Sequence, residues 1–232
     1  MLSIVIPTLN EEKYLPRLLE SIKKQGFSDF EIIIADDNSK DNTVNIAKRF
    51  SAKIISGGLP AKARNNGAKV AKGDVILFLD ADVILPKGFL KKAINVFEKR
   101  KLDIGTFFLV PKKSKIAAFL FNLLYNYPIV VFEKILPHAA MAILVKKDIF
   151  FEVGGFDEEI TLGEDHYFAR QVNKKGKFGI IKTKVLISTR RFRKDGWVKT
   201  FFKYWSCEVY MTLIGPPKKN NFGKRFSTYF EK

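Results

Sequence analysis

Short apolar runs alternate with helix-length amphipathic segments through the first half of the chain, and that alternation constrains the fold more than any single motif. Ser3–Pro7, Phe30–Ala35, Lys53–Ser56 and Val75–Leu79 are strand-length and rich in β-branched residues. Glu11–Gln25 carries Leu15, Leu18, Leu19 and Ile22 at helical spacing and stops at Gly26. Asn42–Phe50, Lys62–Ala71 and Pro86–Lys101 also read as helices. Successive strand–helix units predict an α/β fold, with a mostly parallel central sheet flanked by helices. Such sheets bind ligands beyond the carboxyl ends of their strands. Three of those ends carry polar side chains: Thr8 and Asn10, Asp36 and Asp37, Asp80 and Asp82.

The last pair ends the run Leu77-Phe78-Leu79-Asp80-Ala81-Asp82. Alternate positions of an extended strand share a face, so these acids are expected to point together into a cleft. Magnesium is held by one or two carboxylates together with substrate phosphates. The pattern points to an enzyme that binds a hard divalent cation and a phosphorylated donor.

The 232 residues are 47% hydrophobic, enough for a substantial core and against bulk disorder. The single Cys207 excludes an intrachain disulfide and a cysteine-rich zinc site, which fits a reducing cytoplasmic setting. Met-Leu-Ser-Ile-Val-Ile-Pro carries no basic leader or cleavage site, so no secretory signal is expected. A net charge of +17 attracts nucleic acid, anionic membrane or anionic small substrates. The arrangement favours a membrane surface over specific nucleic acid. Lys112, Lys113 and Lys115 precede Ile116–Phe132, which holds no charged residue but includes Asn122, Asn126 and Pro128. A buried or interfacial helix is expected there rather than a span.

The second half is less regular. Ala139–Val145 reads as a strand, and Lys147–Val153 as a short helix before Gly154-Gly155-Phe156-Asp157. Glu164–Lys174 reads as a helix ended by Gly176, and Val185–Ser188 as a strand. The cluster Arg190-Arg191-Phe192-Arg193 follows, then an aromatic helix with Trp197, Phe201, Phe202, Tyr204 and Trp205. No repeat or linker interrupts the chain, so one compact domain with a basic tail is expected.

Ile4-Val5-Ile6-Pro7-Thr8-Leu9-Asn10-Glu11-Glu12, Ile33–Thr43, Ala63-Arg64-Asn65-Asn66-Gly67, Leu79-Asp80-Ala81-Asp82, Gly154-Gly155-Phe156-Asp157 and Glu164-Asp165 resemble, in order and approximate spacing, the family 2 glycosyltransferases. The resemblance implies the A-type glycosyltransferase (GT-A) fold, a nucleotide-diphosphate sugar donor and inversion of the anomeric centre. It implies a catalytic domain over residues 1–190, with a nucleotide-sugar half at about 1–105 and an acceptor half at about 106–190, and an extension over 191–232. By position, Pro7, Thr8 and Glu11 would line the nucleoside pocket and Asp37 would meet the base edge, where a carboxylate accepts an N–H. Arg64 would face the nucleotide or its phosphates. Asp82 would coordinate Mg2+ or Mn2+, with Asp80 at the ribose or the metal and Ala81 beside the donor. Asp165 would be the general base and Glu164 would shape the acceptor pocket. With a lipid phosphate as acceptor the attacking oxygen is already anionic, and Asp165 would position it instead.

Each assignment has an ordinary counterpart. Asp36-Asp37 suits a turn and helix cap near Asn42. Arg64 suits a solvated helix face, Asp80 and Asp82 a loop before Pro86, and Glu164-Asp165 the first turn of a helix, where the dipole favours acids. His138 and His166 invite a metal-ligand reading: His166 sits beside the proposed base, within reach of the donor or the metal, while His138 suits acceptor-side structure. Arg190 and Arg191 suit either a diphosphate clamp or a solvated tail. The chain departs from processive synthases in lacking their Gln-x-x-Arg-Trp signature and multiple spans, so one sugar per acceptor is expected. Ile84 stands where some lipid-phosphate mannosyl transferases have a further polar metal ligand.

These features predict a peripheral enzyme at the cytoplasmic membrane face with a glycan or lipid-linked acceptor. The competing readings are a polyprenyl-phosphate glycosyltransferase, a sugar nucleotidyltransferase and a basic binding module. Thr8-Leu9-Asn10-Glu11 replaces the glycine-rich loop of nucleotidyltransferases, and a binding module leaves the strand-end acids unexplained.

Overall fold

The computed structural model describes residues 1–112, 115–160 and 162–218, without the side chains of Ile116, Arg191, Arg193, Phe201 and Tyr204. Lys113, the residues beyond Lys218 and those side chains therefore lie outside the described residues.

Seven strands form one sheet: β1 (Leu2–Thr8), β2 (Phe30–Asp36), β3 (Lys53–Ser56), β4 (Val75–Leu79), β5 (Ile104–Pro111), β6 (Ala142–Lys146) and β7 (Phe178–Ile187). Their spatial order is β3-β2-β1-β4-β6-β5-β7. β1 pairs in parallel with β2 on one side and with β4 on the other. The chain therefore leaves β1 towards both edges, which opens a crevice above its carboxyl end. β6 runs antiparallel to β4 and β5, while β7 pairs in parallel with β5.

Helices α1 (Leu15–Lys23), α2 (Thr43–Arg49), α3 (Pro60–Val70) and α4 (Phe89–Lys99) alternate with the first four strands. Leu15, Leu18, Leu19 and Ile22 of α1 join β1 and β4 residues in one buried cluster. Val5, Ile33, Ala68 and Phe150 belong to a second. The two clusters follow from side-chain alternation along each strand. Gly67 marks where α3 lies closest to the sheet: a β-carbon there would stand 2.2 Å from Val5 Cγ1.

Two strands were not legible in the sequence. The local pattern shows no strand at Ile104–Pro111 and starts one at Val185, whereas β5 occupies the first stretch and β7 begins at Phe178. Gly105 interrupts the pattern of β5 because a β-carbon would meet Ile181 Cδ1 at 2.8 Å. Gly179, Lys182 and Lys184 break up β7, and the register shifts between Phe107 and Phe108.

The uncharged run Ile116–Phe132 is helical: α5 (Lys115–Phe121), a π-helical turn (Asn122–Asn126) and α6 (Tyr127–Val131). One side is buried through Ala117, Phe121 and Ile129, while Phe119, Leu123, Leu124, Tyr127 and Val131 are exposed. No helix among the described residues is long and apolar enough to cross a membrane. Asn126 explains the polar break in the run. β6 pairs with β5 only over Ile104–Thr106. Further along, Leu109 N donates to Asn126 Oδ1 at 3.0 Å and Asn126 Nδ2 donates to Leu109 O at 2.9 Å. The amide thus substitutes for a neighbouring strand. Asn126→Leu is expected to destabilise the fold by about 1–3 kcal/mol per buried group left unpaired, read as a lower urea midpoint at unchanged slope.

The chain continues through α7 (Lys147–Glu152), α8 (Glu164–Lys175), α9 (Arg190–Asp195) and α10 (Trp197–Leu213). Phe192 links α5 to α10, stacking on Trp197 at 4.6 Å and meeting Phe121 edge-on at 5.6 Å.

Candidate active site

The expected acids gather where β1, β2 and β4 end. Thr8 and Asp36 are register partners in the last pair of β1 and β2. Asp36 Oδ1 accepts from Thr8 Oγ1 at 2.9 Å and from Ser39 Oγ at 2.6 Å, and Oδ2 accepts from Ser39 N at 2.9 Å. Asp36 therefore braces the loop. Asp37 N donates to Thr8 O at 2.9 Å, which leaves the Asp37 side chain half-buried at the rim. Pro7 is also half-buried.

Strand alternation does not account for Asp80 and Asp82, since β4 ends at Leu79 and both acids lie in the turn that follows. The turn is anchored by Asp80 N donating to Met141 O at 2.9 Å. Ile84 and Leu186 then exchange backbone hydrogen bonds at 2.8 and 3.0 Å. Ile84 is thus part of the anchor, and Ala81 is buried behind the turn.

Each acid faces an arginine. Arg64 Nη2 lies 2.9 Å from Asp80 Oδ1, and Arg64 Nη1 lies 2.7 Å from Glu164 Oε1. Arg64 is buried, with its guanidinium carbon 5.3 Å from the Phe156 ring. Burial opposes its charge, but Asp80, Glu164 and Asp165 hold its proton more firmly than usual. Arg64, assigned by resemblance to the nucleotide, thus ties the β4 turn to the start of α8. Glu164 is its buried partner rather than an open pocket wall. Arg190 Nε lies 3.0 Å from Asp82 Oδ2. Its Nη1 and Nη2 donate to Glu11 Oε2 and Oε1 at 2.9 and 2.6 Å. The guanidinium also lies 4.5 Å above the Tyr14 ring.

The motif around Asn65 locks the Gly154–Asp157 turn to α3. Asn65 Oδ1 accepts from Phe156 N at 2.9 Å and its Nδ2 donates to Phe156 O at 2.9 Å. Gly155 has φ 73°, and a β-carbon there would meet Asn65 Oδ1 at 2.7 Å. Glycine is the residue that admits both the left-handed backbone and this approach.

Asp165 lies in the first turn of α8, its carboxylate mostly enclosed. Burial pushes its pKa up to about 6, with Glu164 and Asp80 adding to the rise and His166 and Arg64 opposing it. A carboxyl poised near neutral pH suits proton abstraction. Sequence reasoning did not single out Glu208. Its signal is that it is the one acid in the aromatic stretch Trp197–Leu213.

The sequence profile of Glycosyl transferase family 2 matches residues 3–156. Poly(ribitol-phosphate) beta-N-acetylglucosaminyltransferase TarS of Staphylococcus aureus is 35% identical over 112 residues, which is 44% of this chain and 20% of TarS. An uncharacterized glycosyltransferase of Haemophilus influenzae is 32% identical over 190 residues, covering 77% of this chain and 64% of that protein. The chain spans about a fifth of the length of the curated relatives it matches first. The crystal structure of S. aureus TarS 1–349 in complex with UDP-GlcNAc superposes with a TM-score of 0.67 at 25% identity, over 82% of this chain and 58% of that one. The mannosyltransferase PcManGT from Pyrobaculum calidifontis, in complex with GDP-Man and Mn2+, has the same fold, with a TM-score of 0.66 at 17% identity over 98% of this chain and 73% of that one. The seven-stranded sheet is that of a GT-A fold. Because the family profile matches more than half of its length, the chain belongs to glycosyl transferase family 2.

Proposed function

We propose that this chain is a metal-dependent, inverting glycosyltransferase that moves one sugar from a nucleotide-diphosphate sugar to a lipid-linked or cell-envelope glycan acceptor. The observation that carries the reading is Arg64. By bridging Asp80 and Glu164 it ties the β4 turn to the first turn of α8, where Asp165 stands. TarS, in its complex with UDP-GlcNAc, makes uridine-linked sugars the first donors to test. The related teichoic acid protein GgaB supports an envelope glycan as acceptor.

Asp82 and Asp80 are hard oxygen donors suited to Mg2+ or Mn2+. Each faces a guanidinium here, so the ion would compete with that charge for the carboxylate oxygens. The ion would neutralise the departing diphosphate. Asp37 is the acid left at the rim for a base edge. Arg190, partly exposed, is suited to exchange carboxylate oxygens for diphosphate oxygens, since its planar fork matches either.

Asp165 takes the proton of the acceptor hydroxyl as that oxygen bonds to the anomeric carbon. The bond from that carbon to the diphosphate breaks on the opposite face, and its electron pair leaves with the nucleotide. Asp165 must be ionised for this, so kcat/KM is expected to fall as pH drops below about 6.

The test is incubation with a panel of nucleotide sugars, Mn2+ and candidate acceptors. Free nucleoside diphosphate supports glycosyl transfer, whereas pyrophosphate would indicate nucleotidyl transfer. Asp82→Ala is expected to abolish metal-dependent turnover in a folded protein, and unchanged turnover would remove Asp82 from the mechanism.

Peripheral contact with an anionic membrane at the cytoplasmic face belongs to the same proposal. Phe119, Leu123, Leu124, Tyr127 and Val131 on α5–α6 are exposed, as are Val198, Phe202, Trp205 and Leu213 on α10. Lys112, Lys115, Lys134, Lys199 and Lys203 accompany them. Apolar side chains with basic neighbours suit an anionic interface. The protein is expected to float with vesicles containing phosphatidylglycerol and not with phosphatidylcholine alone. Equal recovery in both would remove the electrostatic part.

A further inference from the structure

Behind Asp165 lies a charged cluster that the family motifs leave unassigned. His166 Nε2 stands 3.5 Å from Asp165 Oδ1, and His166 Nδ1 stands 2.9 Å from Glu208 Oε2. Glu208 comes from α10, and its other oxygen pairs with Arg170 and faces His138 Nδ1 at 3.8 Å. The two imidazole rings lie 3.6 Å apart, centroid to centroid.

Two histidines and a carboxylate within 4.8 Å of one another also have the spacing of a metal site. Charge argues against that use. Glu208 already meets the Arg170 guanidinium on one oxygen and His166 on the other, so an added divalent ion would sit beside a fixed positive charge. A His166 ring protonated on both nitrogens instead donates to Glu208 through Nδ1 and presents its Nε2–H to Asp165 Oδ1 at 3.5 Å, an oxygen that also accepts from His166 N at 2.9 Å.

We propose that His166 is the positioning residue of Asp165: as an imidazolium held by Glu208, it orients the Asp165 carboxylate and keeps it ionised, which makes α10 part of the acceptor half of the active site. The inference rests on the reading of Asp165 as base. Facing Asp165 are Glu164 on its own helix, Arg64 from α3 and Asp80 from the β4 turn. Facing His166 are Asp165 and Arg170 from α8, Glu208 from α10 and His138 from the segment before β6. Burial and Arg170 work against the His166 charge, but Asp165 and Glu208 outweigh them and raise its pKa. Burial, and then the His166 charge, drive His138 down to about 4, so that ring is neutral. Burial pushes the adjacent Cys207 thiol up to about 12, so it carries no charge.

The chain has 2 histidines, so ring C–H resonances of [13C]histidine-labelled protein give a direct readout, assigned with His138→Gln. One ring should titrate above the usual value of about 6.5, and the other should stay neutral to about 4. Asp165→Asn and Glu208→Gln should each lower the His166 midpoint. His166→Gln should move the acid limb of kcat/KM upward by about one pH unit or more, a loss of about fivefold or more at pH 6 that largely recovers by pH 8. A merely structural role would lower the whole profile without moving the limb. A His166 midpoint unmoved by Asp165→Asn, an unmoved limb in His166→Gln, or a stoichiometric Co2+ ion bound through both rings would each overturn the inference. Transfer retained by Asp165→Asn, with the His166 midpoint lowered, would instead remove the base reading and leave the tether standing.

Discussion

Asp165→Asn is expected to reduce transfer to a hydroxyl acceptor by about 10²–10⁴-fold, the usual contribution of a positioned base, while donor affinity stays within about twofold. The amide keeps the shape of the side chain but cannot take a proton. In the proposed site, donor binding rests on groups at the ends of β1, β2 and β4 together with Arg190, and α8 contributes none of them directly. The loss should therefore appear in kcat with little change in the KM for the nucleotide sugar. Single-turnover kinetics with a fluorescent acceptor, alongside calorimetry of donor binding, separates the two effects. Transfer retained at near wild-type rate would mean that the acceptor oxygen arrives already ionised, as on a lipid phosphate. The exposed apolar side chains of α5–α6 and α10 make that the reading to adopt in such a case.

Replacing Arg64 should have the largest effect on stability. Arg64 and Glu164 are 6% and 9% exposed at their side chains, so the pair is shielded from solvent on both sides. Removing one member of a buried pair leaves the other charge without compensation and costs about 3–5 kcal/mol. Arg64→Met should lower the denaturant midpoint accordingly and depress activity, because the β4 turn loses its link to α8. The double variant Arg64→Met with Glu164→Gln removes the stranded charge and should recover a large part of the stability. Activity should not return with it, since Asp80 still lacks its partner. Arg64→Lys is not expected to substitute, because one ammonium cannot reach two carboxylates in the geometry that the guanidinium fork spans. A double variant no more stable than the single one would show that Glu164 is not where the cost lies.

The first half of the fold was legible because its strands and helices are local and regularly punctuated. β3 and β4 fall at the expected residues, and the first four helices begin or end within a few residues of their expected bounds. The strand-end acids were legible for the same reason, because topology alone brings the ends of β1, β2 and β4 together. Long-range pairing was not. β5 and the first half of β7 carry glycines that exist for close contacts with residues far away in sequence, and those glycines erase the local strand pattern. The partners of the acids were hidden in the same way. Nothing local indicates that Arg190 reaches Glu11 across 179 positions, or that Glu208 reaches His166 across 42. Strand pleating does not place Asp80 and Asp82: both lie in the anchored turn after β4.

The grip of Arg190 on Glu11 and Asp82 also bears on how the protein can be cut down. Truncation after Ser188 would keep all seven strands, yet remove the guanidinium that holds Glu11 and Asp82 and the carboxylate that holds His166. On the proposed reading, a shortened version of that kind should fold and yet fail to transfer sugar.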